Sequence, residues 1–221
     1  MKRKGDQQAA AQTAVAMSEV LFRFGQIKRV TKMPNGEHES DSHHSFTLAV
    51  IAYELAKTYA PELDAMKVMA YSLVHDLPEV VTSDMNTLLA SSEELVRKEV
   101  DEKAALPQVR KVFAQAPNVL KLMENYEACE DEEAKFVFWL DKTMTILTHF
   151  FDDGENLREL GIKDQPAIEQ WYERLQQKLA THAAQPHTAA VDVLESLYQK
   201  MHDELLPPAR SVGAASGDYG G

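Results

Sequence analysis

Apolar residues recur every three or four positions along most of this chain, which is the spacing of helices that bury one face. Lys32–Ser40 contains Pro34 and the Asn35–Gly36 pair and is predicted to be a loop. No alternating run rich in Val, Ile and Thr lies between hairpin turns. The sequence therefore predicts an all-α fold. The expected helices span about 8–27, 42–60, 64–76, 92–105, 107–115, 131–151, 164–183 and 188–205.

The length of 221 residues is enough for one domain with a substantial core, and a second domain of ordinary size is not expected. We expect a single domain over residues 1–205, in which the last two helices lie at about 164–205. Residues 206–221 carry Pro, Gly, Ser and Ala without an apolar pattern, so this tail is predicted to be disordered.

The charge balance restricts the partners of the protein. A formal net charge of -12 disfavours binding to a nucleic acid polymer, although a bound cation would still let a small phosphate ester approach. Cys129 is the only cysteine, so an intramolecular disulfide and a cysteine-based zinc site are excluded, and a reducing cytoplasm fits. No apolar stretch is long enough to predict a membrane span.

Four side chains on three predicted helices point to a metal site. His75 and Asp76 are adjacent at the end of the helix predicted at 64–76. His44 shares an inward stripe with Leu48, and Asp141 lies on the apolar face of the helix at 131–151. Two imidazoles and two carboxylates suit one divalent ion such as Co, Mn, Zn or Mg, so a mononuclear metal hydrolase is the leading hypothesis.

Other interpretations of these residues stay open at this point. A His-Asp dipeptide arises by chance, His44 alone could be a hydrogen-bonded core histidine, and Asp141 could form a structural salt bridge. His43 competes with His44, but it lies about 100° around the helix, away from the stripe. The remaining histidines are expected to be solvated or to cap helices, and His149 is the closest of them to Asp141 along the chain.

Three segments resemble those of the HD-domain metal-dependent phosphohydrolases, most closely the bacterial 5'-deoxynucleotidases of the YfbR-like group. Residues 39–45 read Glu-Ser-Asp-Ser-His-His-Ser, similar to the family's Glu-Ser-Val-Ala-Glu-His-Ser. Residues 73–79 resemble its Leu-His-Asp-x-x-Glu segment, and residues 135–141 its Lys-x-x-x-x-x-Asp segment. The similarity covers about residues 15–150 and implies an HD-domain helical bundle with a metal site between helices.

The resemblance also implies roles for single residues. His44, His75, Asp76 and Asp141 would bind the metal, and Glu79 would be the catalytic carboxylate. Arg29 would contact the substrate phosphate and act in catalysis, and Asp84 would bind the sugar 3'-hydroxyl. Without the family, Glu79 could be a solvated acid in the first turn of a helix, Arg29 a surface cation and Asp84 a cap.

Two positions depart from the family pattern near the substrate. Val30 stands where the family usually has Trp, and Ser83 stands where it has Gly. Residues 85–87 also replace a Pro-Thr-Pro-like stretch. These differences concern the sugar and base that the protein selects.

The implied function is hydrolysis of deoxynucleoside 5'-monophosphates to nucleoside and phosphate. Water would attack phosphorus while Arg29 holds phosphate oxygens, and Glu79 would protonate the leaving 5'-oxygen or orient the water. The alternatives are a dNTP triphosphohydrolase and a non-catalytic nucleotide-binding HD module. Kinases and serine or cysteine hydrolases are disfavoured because their motifs are absent. Family members often self-associate, so a homodimer is also expected.

Overall fold

Helices account for most of the described chain, so the predicted all-α class is confirmed. The structure is a computed structural model that describes residues 4–33, 35–82, 92–182 and 187–205. The predicted tail at 206–221 lies outside the described residues. The helices are α1 Lys4–Phe24, α2 Asp41–Tyr59, α3 Ala65–Val74, α4 Glu79–Thr82, α5 Ser92–Val112, α6 Pro117–Ala128, α7 Glu132–His149, α8 Glu155–Glu159, α9 Gln165–His182 and α10 Thr188–Leu205; the strands are β1 Lys28–Lys32 and β2 His38–Ser40.

The two strands form an antiparallel hairpin, so the prediction that Lys32–Ser40 is only a loop is wrong. Lys28 pairs with Ser40 and Lys32 with His38, with an irregularity between the two pairs. The turn places Gly36 at a φ of 81°, a conformation that costs glycine little. The Asn35–Gly36 pair therefore indicated a hairpin turn. The strands on either side of it are short and charged, so they lack the apolar pattern by which strands are usually predicted.

The main hydrophobic core lies between the helices that carry the predicted metal ligands. Helix α2 packs against α3, α3 packs against α7, and the C-terminal helix α10 packs along α7. Because α10 contributes buried side chains to the same core, it supports the helix that carries Asp141. The largest fully buried apolar side chains in this core are Leu48, Tyr71, Phe136, Leu140, Ile146, Leu157, Ile168, Leu194 and Met201.

A second hydrophobic core joins the N-terminal part of the chain to α5 and α6. Val20 and Phe24 of α1 pack here with Leu77, which follows the His75–Asp76 pair, and with Phe113 and Met123. The segment that carries the pair therefore lies between two cores. Packing on both sides restricts how far the pair can move.

Several helix boundaries differ from those predicted. Ser40, rather than Ser42, caps α2 by accepting a hydrogen bond from the His43 N–H. Helix α5 continues through Pro107 instead of dividing there; the loss of one backbone hydrogen bond is tolerated because Val109 and Phe113 beyond it are buried. Helices α6 and α8 were not predicted. Among the described residues, no helix has the length and apolar composition needed to cross a bilayer.

Candidate metal centre

Three helical segments bring the four predicted metal ligands to one point. His44 lies on the inner face of α2, His75 ends α3 with Asp76 next to it, and Asp141 lies in the middle of α7. His44, His75 and Asp141 are buried. The packing of α3 against both α2 and α7 explains why residues so distant in sequence meet.

The side-chain atoms of this ligand cluster (His44, His75, Asp76 and Asp141) face one another across short distances. Nε2 of His44 is 2.8 Å from Oδ1 of Asp141 and 3.9 Å from Oδ2 of Asp76. Nε2 of His75 is 3.0 Å from the same Asp76 oxygen and 3.7 Å from the same Asp141 oxygen. His44, His75 and Asp141 each offer one ligand atom within 4.8 Å of the others, so one small cation could contact these three residues. Asp76 lies beside both imidazoles.

The buried ring of His75 is oriented for a ligand on its Nε2 side. Its Nδ1 lies 2.8 Å from the Ser72 carbonyl oxygen, which can only accept, so Nδ1 carries a proton. Nε2 faces the carboxylates; it forms an ion-pair contact with Oδ2 of Asp76 at 3.0 Å but no aligned hydrogen bond with any residue that the structure describes. An imidazole held in this way would present its Nε2 lone pair to the cluster once a metal ion replaces the proton on that nitrogen, as a metal ligand requires.

The electrostatics of the cluster also suit a bound cation. Burial favours the neutral form of His75, but Asp76 and Asp141 outweigh this effect and raise its pKa to about 10. Burial likewise opposes ionisation of Asp76, yet His75 and Arg29 keep its pKa below the usual range. Lys142 and His44 do the same for Asp141. The two carboxylates therefore stay charged and attract positive charge, which a divalent ion can supply in place of a proton.

Arg29 reaches the ligand cluster from the hairpin. Its Nη1 donates a hydrogen bond to Oδ2 of Asp76 at 2.8 Å, and Oδ1 of Asp41 lies 3.5 Å from the same nitrogen. The Arg29 side chain is 18% exposed. The alternative that Arg29 is a surface cation is therefore wrong, because its guanidinium lies against a predicted metal ligand.

Glu79 lies one turn beyond His75, at the start of α4. Its backbone N–H donates to the Asp76 carbonyl oxygen at 3.0 Å, which joins the two residues through a tight turn. The residue is 9% exposed, so the alternative that it is a solvated first-turn acid is wrong. Asp84, the predicted sugar-binding residue, lies outside the described residues.

The structure also separates the two neighbouring histidines of α2. The side chain of His43 is 52% exposed and faces Glu39, whereas His44 meets Asp141. The expectation that His44 faces the core and His43 does not is therefore confirmed, and the role of His44 as a metal ligand stays a prediction. The physical basis of this difference is the rotation of about 100° between adjacent helical residues.

Two residues near the cluster were missed by the sequence analysis. The ammonium group of Lys142 forms an ion pair with the Asp141 carboxylate. The sequence could have indicated this pair, because the lysine directly follows an aspartate that was predicted to be buried. Tyr126, on the unpredicted helix α6, packs edge-on against the His75 ring with centroids 6.0 Å apart. Burial and the Asp141 carboxylate raise the pKa of Tyr126 well above its usual value, so it remains a neutral phenol.

His149 is buried at the end of α7, so the expectation of a solvated or capping role is wrong. It is 2% exposed, and neither ring nitrogen has a hydrogen-bond partner among the described residues. Burial lowers its pKa to about 4, although Asp152 opposes this shift. The folded protein therefore holds His149 in its neutral form.

Acid should destabilise the metal-free protein through His149. The unfolded chain binds a proton at this residue near pH 6.5, whereas the folded chain does so only near pH 4, so stability is lost as the pH falls between these values. We expect a loss of about 3 kcal/mol between pH 7 and pH 4 relative to a His149→Leu variant. Urea unfolding of both proteins across this range measures it, and parallel pH profiles would contradict the prediction.

Comparisons with known proteins are consistent with this geometry. A family model described as the HD domain matches residues 23–184, which include the whole ligand cluster. The chain is 29% identical over 158 residues to the protein named 5'-deoxynucleotidase HDDC2 from Mus musculus, a match that covers 67% of this chain and 76% of that relative.

One solved structure is also similar. It is the crystal structure of a predicted metal-dependent phosphohydrolase from Magnetospirillum magnetotacticum MS-1, which matches with a TM-score of 0.61 and 21% identity. The match covers 91% of this chain and 98% of that one. At this identity the likeness shows a common fold.

Proposed function

The chain belongs to the HD-domain family of metal-dependent phosphohydrolases, and we propose that it hydrolyses deoxynucleoside 5'-monophosphates to nucleosides and inorganic phosphate. The observation that carries this proposal is the position of Arg29 at the edge of the ligand cluster: its Nη1 is 2.8 Å from Oδ2 of Asp76. A cation-binding centre beside a guanidinium is suited to a phosphate ester. The choice of substrate follows the name of one relative, 5'-deoxynucleotidase HDDC2, whose 29% identity supports the family.

The ligand cluster is suited to one divalent ion, and we propose all four residues as its ligands. His44, His75 and Asp141 bring one ligand atom each to within 4.8 Å of one another, and the buried Nε2 of His75 is turned toward them. Asp76, 3.0 Å from that nitrogen, is the proposed fourth ligand, and two imidazoles with two carboxylates suit a divalent ion. A divalent ion bound there supplies a Lewis acid that makes water a better nucleophile at neutral pH. Co, Mn, Zn and Mg are the candidates for the native metal.

Arg29 is proposed to bind the substrate phosphate. A guanidinium has five N–H donors on three nitrogens, so the contacts of Nη1 with Asp76 and Asp41 can coexist with a charge-assisted hydrogen bond to a phosphate oxygen. Holding the phosphoryl group in one orientation brings phosphorus into line with the attacking water and the leaving oxygen. Arg29 also neutralises negative charge that would otherwise repel the substrate.

Glu79 is proposed as the group that moves a proton. The residue is buried and lies one turn beyond His75, at the start of α4. It could protonate the leaving 5'-oxygen or orient the attacking water through a hydrogen bond. Asp84 is proposed to bind the sugar 3'-hydroxyl.

A substrate and metal screen tests the proposed function. Protein stripped of metal is supplied separately with Mn, Co, Mg and Zn, and phosphate and polyphosphate release are measured with dAMP, AMP and dATP. The proposal expects inorganic phosphate from dAMP. Triphosphate released from dATP would instead indicate a triphosphohydrolase, and nucleotide binding without any release would indicate a non-catalytic module. Equal rates with dAMP and AMP would contradict the preference for deoxyribose.

Replacing Arg29 should weaken substrate binding more than it slows the bound substrate. We expect Arg29→Gln to raise KM for dAMP about 10- to 100-fold, because charge-assisted hydrogen bonds to phosphate are lost. Steady-state kinetics measure this, with metal content determined in parallel because Arg29 also contacts Asp76. Arg110→Gln, at an exposed arginine paired with Glu124, is the matched control. An unchanged KM in Arg29→Gln would exclude the phosphate role.

The cellular location and assembly remain predictions. A cytoplasmic location is proposed from the single cysteine and the absence of an apolar stretch of membrane-spanning length in the sequence. A homodimer is proposed from the family resemblance, and no nucleic acid polymer is expected as a partner because of the net charge of -12.

A further inference from the structure

The hairpin places a buried carboxylate directly behind the ligand cluster. Arg29 and Thr31 of β1 both reach the same oxygen of Glu39, so their side chains lie on the same side of the hairpin. Glu39 lies on β2, and its Oε2 accepts a hydrogen bond from the Thr31 hydroxyl at 3.1 Å. Thr31 and Glu39 are both 4% exposed. The hairpin therefore buries an acid beside the cluster and orients it with a neutral hydroxyl.

The Glu39 carboxylate lies between the first predicted metal ligand and the predicted phosphate-binding arginine. Its Oε2 is 3.7 Å from Nδ1 of His44 and 3.9 Å from Nε of Arg29. Its Oε1 is 3.2 Å from Nδ1 of the exposed His43. Because His43 and Thr31 contact different oxygens, both rotation and position of this carboxylate are restricted.

We infer that Glu39 is a positioning residue that orients His44 for metal binding and holds Arg29 at the edge of the cluster. This inference rests on the proposed function, since it assigns Glu39 to the same site. At 3.7 Å the contact with His44 is longer than a hydrogen bond, but the negative charge favours a proton on Nδ1. Without a bound metal ion, Nε2 donates a hydrogen bond to Oδ1 of Asp141 at 2.8 Å; with Nδ1 protonated, a metal ion would take the place of that Nε2 proton and bind the Nε2 lone pair.

The two histidines of the cluster are thus supported differently on their outer sides. The Ser72 carbonyl oxygen accepts from Nδ1 of His75, whereas Glu39 offers a full negative charge to Nδ1 of His44. An anionic partner makes an imidazole a stronger ligand, and loss of such partners typically weakens metal binding 10- to 100-fold. A purely structural Glu39 would support the hairpin without changing metal affinity.

Metal titration of the full-length, metal-free protein tests this role. Calorimetry with Mn²⁺ should give a Kd about 10- to 100-fold higher for Glu39→Gln than for the unchanged protein. Glu37→Gln is the matched control, because Glu37 lies on the same hairpin, is exposed and hydrogen bonds with Asn35 rather than the cluster. Its Kd should remain within about twofold of the unchanged protein. Glu39→Gln with an unchanged Kd would overturn the inference.

A second variant and a second readout separate positioning from simple structural support. Glu39→Asp keeps the charge but withdraws it by one methylene, so Mn²⁺ binding should again weaken while the metal-free melting temperature stays close to that of the unchanged protein. If Glu39→Gln fails to fold, Glu39→Asp decides: weaker binding supports the inference and unchanged binding overturns it. A Co²⁺ absorption spectrum that shifts in Glu39→Asp would confirm altered ligand geometry.

The outcomes also distinguish this inference from the proposed function. Mn²⁺ affinity does not depend on any nucleotide, so weaker binding in Glu39→Gln supports the positioning role even if dAMP is not hydrolysed. Conversely, hydrolysis of dAMP together with unchanged Mn²⁺ affinity in both variants would retain the function and reject the role of Glu39.

Discussion

Replacing Glu79 by glutamine is expected to lower kcat for dAMP about 10²- to 10⁴-fold while metal binding is retained. The glutamine has nearly the same shape, but its amide cannot donate and recover a proton as a carboxyl group does. The site should therefore still bind metal and substrate, and only the proton-transfer step should fail. KM is expected to change little, because Arg29 and the ligand cluster are unaltered.

The measurement is steady-state phosphate release at saturating metal, combined with metal analysis of the same samples. Glu54→Gln is the matched control, since Glu54 is an exposed glutamate on α2 that accepts a hydrogen bond from Thr58. It should retain full activity. A Glu79→Gln protein with full turnover would reject the catalytic role, and one that loses its metal would make Glu79 part of the metal site instead.

Replacing Asp141 by asparagine is expected to abolish activity and most of the thermal stabilisation by metal. The Oδ1 atom of Asp141 lies opposite both imidazoles, 2.8 Å from Nε2 of His44 and 3.7 Å from Nε2 of His75. An amide oxygen at this place carries no net charge and binds a divalent ion less strongly. The ion would also lose one of the two carboxylates that compensate its charge.

The size of the stabilisation follows from mass action. Metal at about 1,000 times its Kd stabilises the folded state by about 4 kcal/mol. For a chain of this size that corresponds to a rise in Tm of about 8–16 °C. Differential scanning fluorimetry with and without Mn²⁺ should show this rise in the unchanged protein and only a small part of it in Asp141→Asn.

Asp192→Asn provides the control for this experiment. Asp192 is an exposed aspartate on α10, and the substitution makes the same chemical change away from the cluster. Its metal-dependent rise in Tm should equal that of the unchanged protein. An equally large rise in Asp141→Asn would remove Asp141 from the ligand set.

The helices that carry the site were predictable because apolar spacing reports which face of a helix is buried. The stripe through His44 and Leu48 correctly separated His44 from His43, which faces away. His75 was correctly placed at the end of its helix, where α3 stops at Val74. In each case the deciding information lay within a few turns of the same helix.

The hairpin and helix α6 were not predictable in the same way. The strand Lys28–Lys32 carries three cations in five residues and has no run of apolar residues on one face. It exists because it pairs with β2 and lies against α7, contacts that no local pattern displays. Helix α6 begins with Pro117 and buries mainly Met123 in the second core, so its apolar signal was weak.

The amino-acid sequence alone determined the helical class, the four candidate ligands and the helical face on which His44 lies, since these depend on residue type and on spacing within single helices. Only the tertiary structure decided that Glu39 lies behind His44, that Arg29 contacts Asp76 and that His149 is buried without a partner among the described residues. These contacts join elements separated by loops. Their distances depend on how whole helices and strands pack, which the spacing of residues within any one element does not specify.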